Sequence, residues 1–484
     1  MRKNLFALVF ASLCLFSFDI IDYACVNLPS TLQNYAQIIF PSDIINNQSE
    51  MDNMPVNNPV TDAGATLGRV LFYDVALSKN YSISCSSCHS QEFSFTDTSR
   101  FSKGFNGQLT RRNSMGLAHA RFQKDSAFFW DNRASTLEKQ VLMPIHSSVE
   151  MGLSLDSLVM RLRSKAIYAP LFQAAFGSTD IDTLKIARAL AQFIRSMNTF
   201  GSKFRFGITV TNGNPATTPF VNFTAEENLG KDLFMDVTRG NCQACHTRNI
   251  FVPQGSKNIG LDLEYADNGV GEFFDNRSKD GQFSVPSLIN IALTGPYMHD
   301  GRYKTLEEVI NFYSDSIKPH RNLDGFLREI IPGNPSPNNN PCNTCPPRKI
   351  QYSEAEKKAL LAFLKTLTDT VLIKDPRWSD PFCRTTSTGV REQTPVLSAS
   401  VFPNPVVIGK LVSVRMLNKQ RFNGWIVIMT TDGRSVYQRN EIFQAGLYTF
   451  SIPDVFRLPG MYLLKIYTGK TEALVLKLIS AAPH

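Results

Sequence analysis

Several features that would narrow fold or function quickly are scarce in this sequence. No Lys/Arg run stands out, and a formal charge of +8 spread over 484 residues is modest. Composition therefore gives no sign of a nucleic-acid partner; it suits solubility and is compatible with an acidic protein partner. After the first eighteen residues no apolar run approaches the roughly 20 residues that a membrane span needs. Nine cysteines in so long a chain are too few for a disulfide-dense scaffold. Apolar residues at 43% and charged residues at 19% are those of an ordinary globular protein, long enough for about three domains with cores of their own.

What the chain does have begins at its N-terminus. Arg2 and Lys3 precede an apolar run that ends at Phe18, and Asp19 follows. That pattern is an export signal, expected over residues 1–24, with Ala24 one candidate for the residue before cleavage. Cys25 raises lipid attachment, but Asp22 and Tyr23 make a poor lipobox. An exported, soluble mature chain is expected, with no transmembrane segment.

Six of the nine cysteines form three C-x-x-C pairs, and two pairs are followed by histidine: Cys85-Ser-Ser-Cys88-His89 and Cys242-Gln-Ala-Cys245-His246. C-x-x-C-H is the attachment signature of haem c. Two thiols add to the vinyl groups, and the adjacent imidazole meets the iron. A disulfide, a zinc pair or chance are the bland alternatives, and two copies in an exported chain weigh against them. The third pair, Cys342-Asn-Thr-Cys345, has no histidine and lies beside a proline-rich loop, where a surface disulfide is expected. Pairing of Cys25 and Cys383 stays open.

Internal repetition supports two haem units. Leu67-Gly-Arg-Val-Leu-Phe-Tyr-Asp-Val75 recurs as Leu229-Gly-Lys-Asp-Leu-Phe-Met-Asp-Val237, each ahead of a C-x-x-C-H. Trp130-Asp-Asn-Arg-Ala-Ser-Thr-Leu-Glu138 is matched after the second by His299-Asp-Gly-Arg-Tyr-Lys-Thr-Leu-Glu307. Two matches in the same order argue for tandem c-type haem domains over residues 50–205 and 220–375, joined by a linker at 211–219. Apolar spacing predicts helices over 155–162 and 184–197, and Ser353-x-x-Glu356 opens another through about 367. The chain is thus read as mainly α. From about 395 to 484, short alternating runs separated by turns predict a small all-β sandwich with no clustered chemistry.

The motifs in order resemble those of the bacterial di-haem cytochrome c peroxidases and the similar MauG-like enzymes, over roughly residues 50–372. The resemblance rests on Leu67-Gly68, Leu71-Phe72, Asp74, Leu77-Ser78, Arg112-Asn113, Phe129-Trp130-Asp131, Arg133-Ala134, Leu137-Glu138, Gln140, Glu150-Met151-Gly152 and Pro296-Tyr-Met-His-Asp-Gly301. The last segment, from Val401-Phe-Pro-Asn-Pro405 onward, resembles a type A sorting domain of type IX secretion. That implies passage to the periplasm, and onward to the cell surface or the medium, with removal of the tail.

The resemblance implies two covalently bound haem c groups, with His89 on the peroxide-reactive haem and His246 on its partner. Glu150 would move a proton between the peroxide oxygens, Gln140 would line the same pocket, and Trp130 would relay electrons between the haems. Asn113, with the backbone of Thr294 and Pro296, would hold calcium. Two positions depart from the peroxidase pattern. A displaceable distal histidine is replaced by Phe105, which cannot ligate iron, so the first haem is expected to be open; His119 and His146 are the nearby imidazoles. The axial methionine of the second haem is replaced by Tyr313, as in the MauG-like enzymes, with Met298 as the alternative ligand. A phenolate stabilises ferric iron where a thioether raises the potential.

The expected function is reduction of hydrogen peroxide to water with electrons from a small cytochrome c or similar donor. The alternatives are a MauG-like oxidase that uses a high-valent state of both haems on a protein or small molecule, and a plain di-haem electron carrier. The donor, the substrate and whether the chain forms a homodimer are left open by the sequence.

Overall fold

The structure, a computed structural model, describes residues 18–481 apart from 46–51, 124–126, 212–213, 248–250, 254, 330–341, 343, 388–395, 403–405, 409–410, 419–420, 431–434, 454, 457–459 and 469–470. Most of the export signal lies outside the described residues. The chain divides into a compact unit over residues 19–385 and a second over 386–484.

The first unit is mainly helical, and several of its helices begin where the sequence supplies caps. Thr61 accepts from Gly64 N at the start of Asp62–Tyr73. Thr224 with Glu227, and Ser353 with Glu356, form capping boxes for Ala225–Met235 and Glu354–Lys365. The expected helices over 155–162 and 184–197 are Leu155–Arg163 and Thr183–Arg195. Ends differ by a residue or two, as helix ends do.

The two copies of the Leu-Gly motif use one device. The Asp62–Tyr73 helix packs on Thr183–Arg195, and Ala225–Met235 packs on Glu354–Lys365. At each crossing a glycine lets the backbones meet: a Cβ on Gly68 would overlap Ala189 O, and one on Gly230 would overlap Ala359 O. Phe193 and Phe363, four residues beyond those alanines, sit beside the glycines in both pairs.

Besides a small cluster around Phe122 and another around Phe312, one main apolar core spans the unit, from Tyr35 to Phe382. Its last turn returns to the first helix. Tyr73 Oη donates to Trp378 O at 2.6 Å, Arg69 Nε donates to Ser379 O at 2.6 Å, and Trp378 Nε1 donates to Ser196 Oγ at 3.2 Å.

The second unit is a β region. A five-stranded sheet has the order Ser435–Phe443, Phe422–Thr430, Gly460–Thr468, Thr471–Ala481, Val406–Val407, antiparallel except at the last pair. A three-stranded sheet has the order Gly446–Ile452, Val412–Asn418, Val396–Phe402. Alternate residues (Val412, Val414 and Met416 from one sheet, Ile426, Ile428, Leu464 and Ile466 from the other) share one core.

Candidate active site

Each C-x-x-C-H folds as one turn of 3₁₀ helix. Cys85–Ser87 and Cys242–Ala244 are the two turns, closed by Cys88 N donating to Cys85 O and Cys245 N to Cys242 O, both at 3.2 Å. Side chains three apart eclipse in this geometry, so both sulfurs of a pair reach the same cavity. Cys85, Cys88 and His89 line a cavity of about 750 Å³. Cys242, Cys245 and His246 line one of about 190 Å³.

The two histidines are oriented alike. His89 Nδ1 lies 2.8 Å from Phe95 O, and His246 Nδ1 lies 3.1 Å from Pro286 O. A carbonyl can only accept, so Nδ1 carries the hydrogen and Nε2 keeps the lone pair that iron needs. Burial lowers both imidazoles, His246 to about 4, which keeps them neutral. Burial also pushes the four thiols up, Cys88 to about 11 and the others to about 12. All four remain outside any disulfide. Among the described residues no three His, Cys, Asp or Glu side chains are arranged to hold a metal ion. Two thiols, one oriented imidazole and an adjoining cavity are what haem c requires, and both sites fit it.

Glu150 and Gln140 line the first cavity with His89. Burial raises the Glu150 carboxyl above its usual range, opposed by a hydrogen bond from Ser147 and the charges of Arg133 and His146. Phe105 is not among the residues of that wall. Its ring lies where a side chain on Gly152 would be, and its amide donates to Glu150 O at 2.8 Å. His119 does line the cavity, with Nε2 2.8 Å from Thr199 O. His146 is exposed, with Nδ1 3.0 Å from Leu142 O.

Trp130 lines both cavities, and no other described residue does. Its neighbours hold it from several sides. Asn113 O accepts from its Nε1 at 2.8 Å, Ser284 N donates to its carbonyl at 2.8 Å, and the His299 ring lies 6.5 Å away, edge-on. His299 is stacked on Phe283 at 3.7 Å, and burial lowers its imidazole to about 4. Arg112 clamps this region: Nε and Nη2 reach Asp267 at 2.7 and 2.8 Å, and Nη1 pairs with Asp131. In the sequence Arg112 stands out only as part of the Arg112-Asn113 motif. Its partner Asp267, 155 positions away, gave no local signal.

Tyr313 and Met298 both line the second cavity. Tyr313 sits in a short π-helical segment, Phe312–Ser316, directly after the helix Leu306–Asn311. Such irregular turns recur at functional sites because they re-aim a side chain. Burial pushes its phenol well above the usual tyrosine range. Asn113, Thr294 and Pro296 gather with Trp130 around a third cavity of about 70 Å³. The Asn113 amide nitrogen donates to Ser99 O at 3.2 Å and Arg100 O at 3.3 Å, which leaves Oδ1 as an acceptor.

Residues 62–208 match the pattern of the family described as di-haem cytochrome c peroxidase. The methylamine utilization protein MauG of Methylorubrum extorquens is 32% identical over 319 residues, covering 65% of this chain and 80% of that protein. The cytochrome c551 peroxidase of Nitrosomonas europaea is 31% identical over 250 residues, covering 51% and 71%. Among solved structures, a MauG-like protein associated with microbial copper homeostasis is 33% identical, with a TM-score of 0.59, and covers 71% of this chain and 99% of that one. The class these findings define is the di-haem c-type cytochrome oxidoreductase. The chain belongs to the MauG-like, di-haem cytochrome c peroxidase family, whose cofactors are haem c.

Proposed function

We propose that this chain takes hydrogen peroxide as oxidant at the His89 cavity and supplies it with electrons through the His246 cavity. The observation that carries this reading is the position of Trp130, the one described residue shared by both cavity walls. When bound, haem supplies the iron at which the peroxide oxygen–oxygen bond is broken in the first cavity and the redox centre of the second. Cys85 and Cys88 would hold the first group and His89 Nε2 its iron; Cys242, Cys245 and His246 would hold the second. Domains at 50–205 and 220–375 each carry one.

Glu150 takes the proton from one peroxide oxygen and delivers it to the other, which leaves as water. Burial raises this carboxyl above its usual range, which makes it a stronger proton acceptor than an exposed one. Gln140 borders the same space, and Trp130, an oxidisable indole, relays electrons. A small cytochrome c or similar protein is the donor in this reading. Tyr313, which lines the second cavity, would be the further ligand of the second iron, with Met298 the alternative.

Tyr313 also favours a second reading. Phenolate ligation stabilises ferric iron, which suits an oxidase whose electrons come from a protein or small-molecule substrate rather than from a cytochrome. The third cavity offers Asn113 Oδ1 and the backbone of Thr294 and Pro296 to a calcium ion, hard oxygens for a hard cation. The β region over 395–484 is taken as a sorting domain for an exported protein.

The test is peroxide turnover by the di-haem holoprotein with reduced cytochrome c as donor. Turnover lost in Glu150→Gln, with both haems still attached, supports the reading. Unaltered turnover in that variant removes Glu150 from its role.

A further inference from the structure

The third C-x-x-C is absorbed by neither haem. Cys342 and Cys345 are disulfide-bonded. Neither is fully buried, and Thr344 between them is exposed. A bond that closes so short a loop restricts the unfolded chain less than one that closes a long loop.

Its place in the chain is more informative. The residues that follow form a strap along the second cavity. Glu329 N donates to Pro346 O at 2.9 Å, and Arg348 N donates to Leu327 O at 2.8 Å. The buried Arg328 guanidinium bolts the strap at its start, donating to Cys345 O at 2.7 Å and to Leu323 O at 3.1 Å. Phe326, Leu327, Ile350 and Tyr352 all line the cavity. At the far end the strap grips one residue. Ile350 N and Gln351 N both donate to Ser314 O, at 2.9 and 3.0 Å, and Tyr352 N donates to Ser314 Oγ at 3.0 Å. Ser314 is fully buried and adjoins Tyr313 in the π-helical segment. Seven residues therefore connect an accessible disulfide to the backbone that aims Tyr313.

We propose that Cys342–Cys345 is a thiol–disulfide exchange site for a dithiol reductant, and that its reduction loosens the 345–352 strap and the hold on Tyr313. The reductant gives two electrons and two protons. The sulfur–sulfur bond breaks, each sulfur ends as a thiol, and the donor's own pair closes to a disulfide. The effect on the second iron rests on Tyr313 being its ligand; the effect on the strap does not.

Two readouts on the di-haem holoprotein separate these parts. Amide hydrogen exchange over 346–352 is compared in the disulfide form, after dithiothreitol, and in the Cys342→Ser/Cys345→Ser double variant. Exchange about tenfold faster in both opened forms, with Glu354–Lys365 unchanged, is expected. Equal exchange in all three overturns the proposal. Electron paramagnetic resonance of the ferric double variant should show a shifted signal for the second haem, moved in the same sense as in Tyr313→Phe. If Tyr313→Phe shifts that signal and the double variant does not, the coupling is overturned. If neither shifts it, the Tyr313 assignment fails, and the exchange result alone decides the disulfide.

Discussion

Trp130 Nε1 donates to Asn113 O at 2.8 Å, and Asn113 N in turn donates to His299 O at the same distance. Through Asn113, the indole that opens the first Asp-x-Arg repeat is thus linked to His299, which opens the second. Trp130→Phe keeps an aromatic ring and removes that donor. Leaving Asn113 O without it should cost about 1–3 kcal/mol of stability. Haem content should be unchanged, while electron transfer from the second haem to the first, followed by rapid mixing, should slow. An unchanged rate would take Trp130 out of the relay.

Glycine to alanine within a helix ordinarily stabilises by roughly 0.5–1 kcal/mol. Gly68→Ala and Gly230→Ala should do the opposite, because each new methyl meets a main-chain carbonyl of the crossing helix. A loss of about 1–3 kcal/mol is expected for each in denaturant titrations. Similar losses at the two positions would agree with one packing device used twice.

The Glu150 carboxyl is raised above its ordinary 4.5 by burial. The folded chain therefore binds this proton more tightly than the unfolded chain does. That contribution is fully present below the unfolded value and is lost as pH rises through the folded one. Glu150→Gln has no charge to bury, so its melting temperature should gain on the parent's as pH rises above 4.5 and level off beyond the folded value. A gap that narrows over that range would mean that the carboxyl is not raised.

What the sequence disclosed was what lies close together along the chain. The attachment turns, the Ser353 capping box and the helices over 155–163 and 183–195 each depend on residues within a few positions. The partners that orient the site do not. Nothing near His246 points to Pro286 O, nothing near Arg112 points to Asp267, and nothing near Tyr313 points to the strap that ends at Tyr352. The stretch 211–219 has the composition of a linker, yet the fully buried Lys231 donates to Pro215 O at 2.9 Å and fastens it. Phe105 was expected to leave the first haem without a distal ligand. Its ring lies against Gly152, and its amide donates to Glu150 O, a contact that spacing alone does not reveal.

The proposed open first site, served by Glu150, is tested by mixing the resting ferric holoprotein with hydrogen peroxide while following the haem bands. An open site reacts without prior reduction, and the same resting form binds cyanide. A resting protein that binds no cyanide and reacts with peroxide only after one haem has been reduced would contradict it.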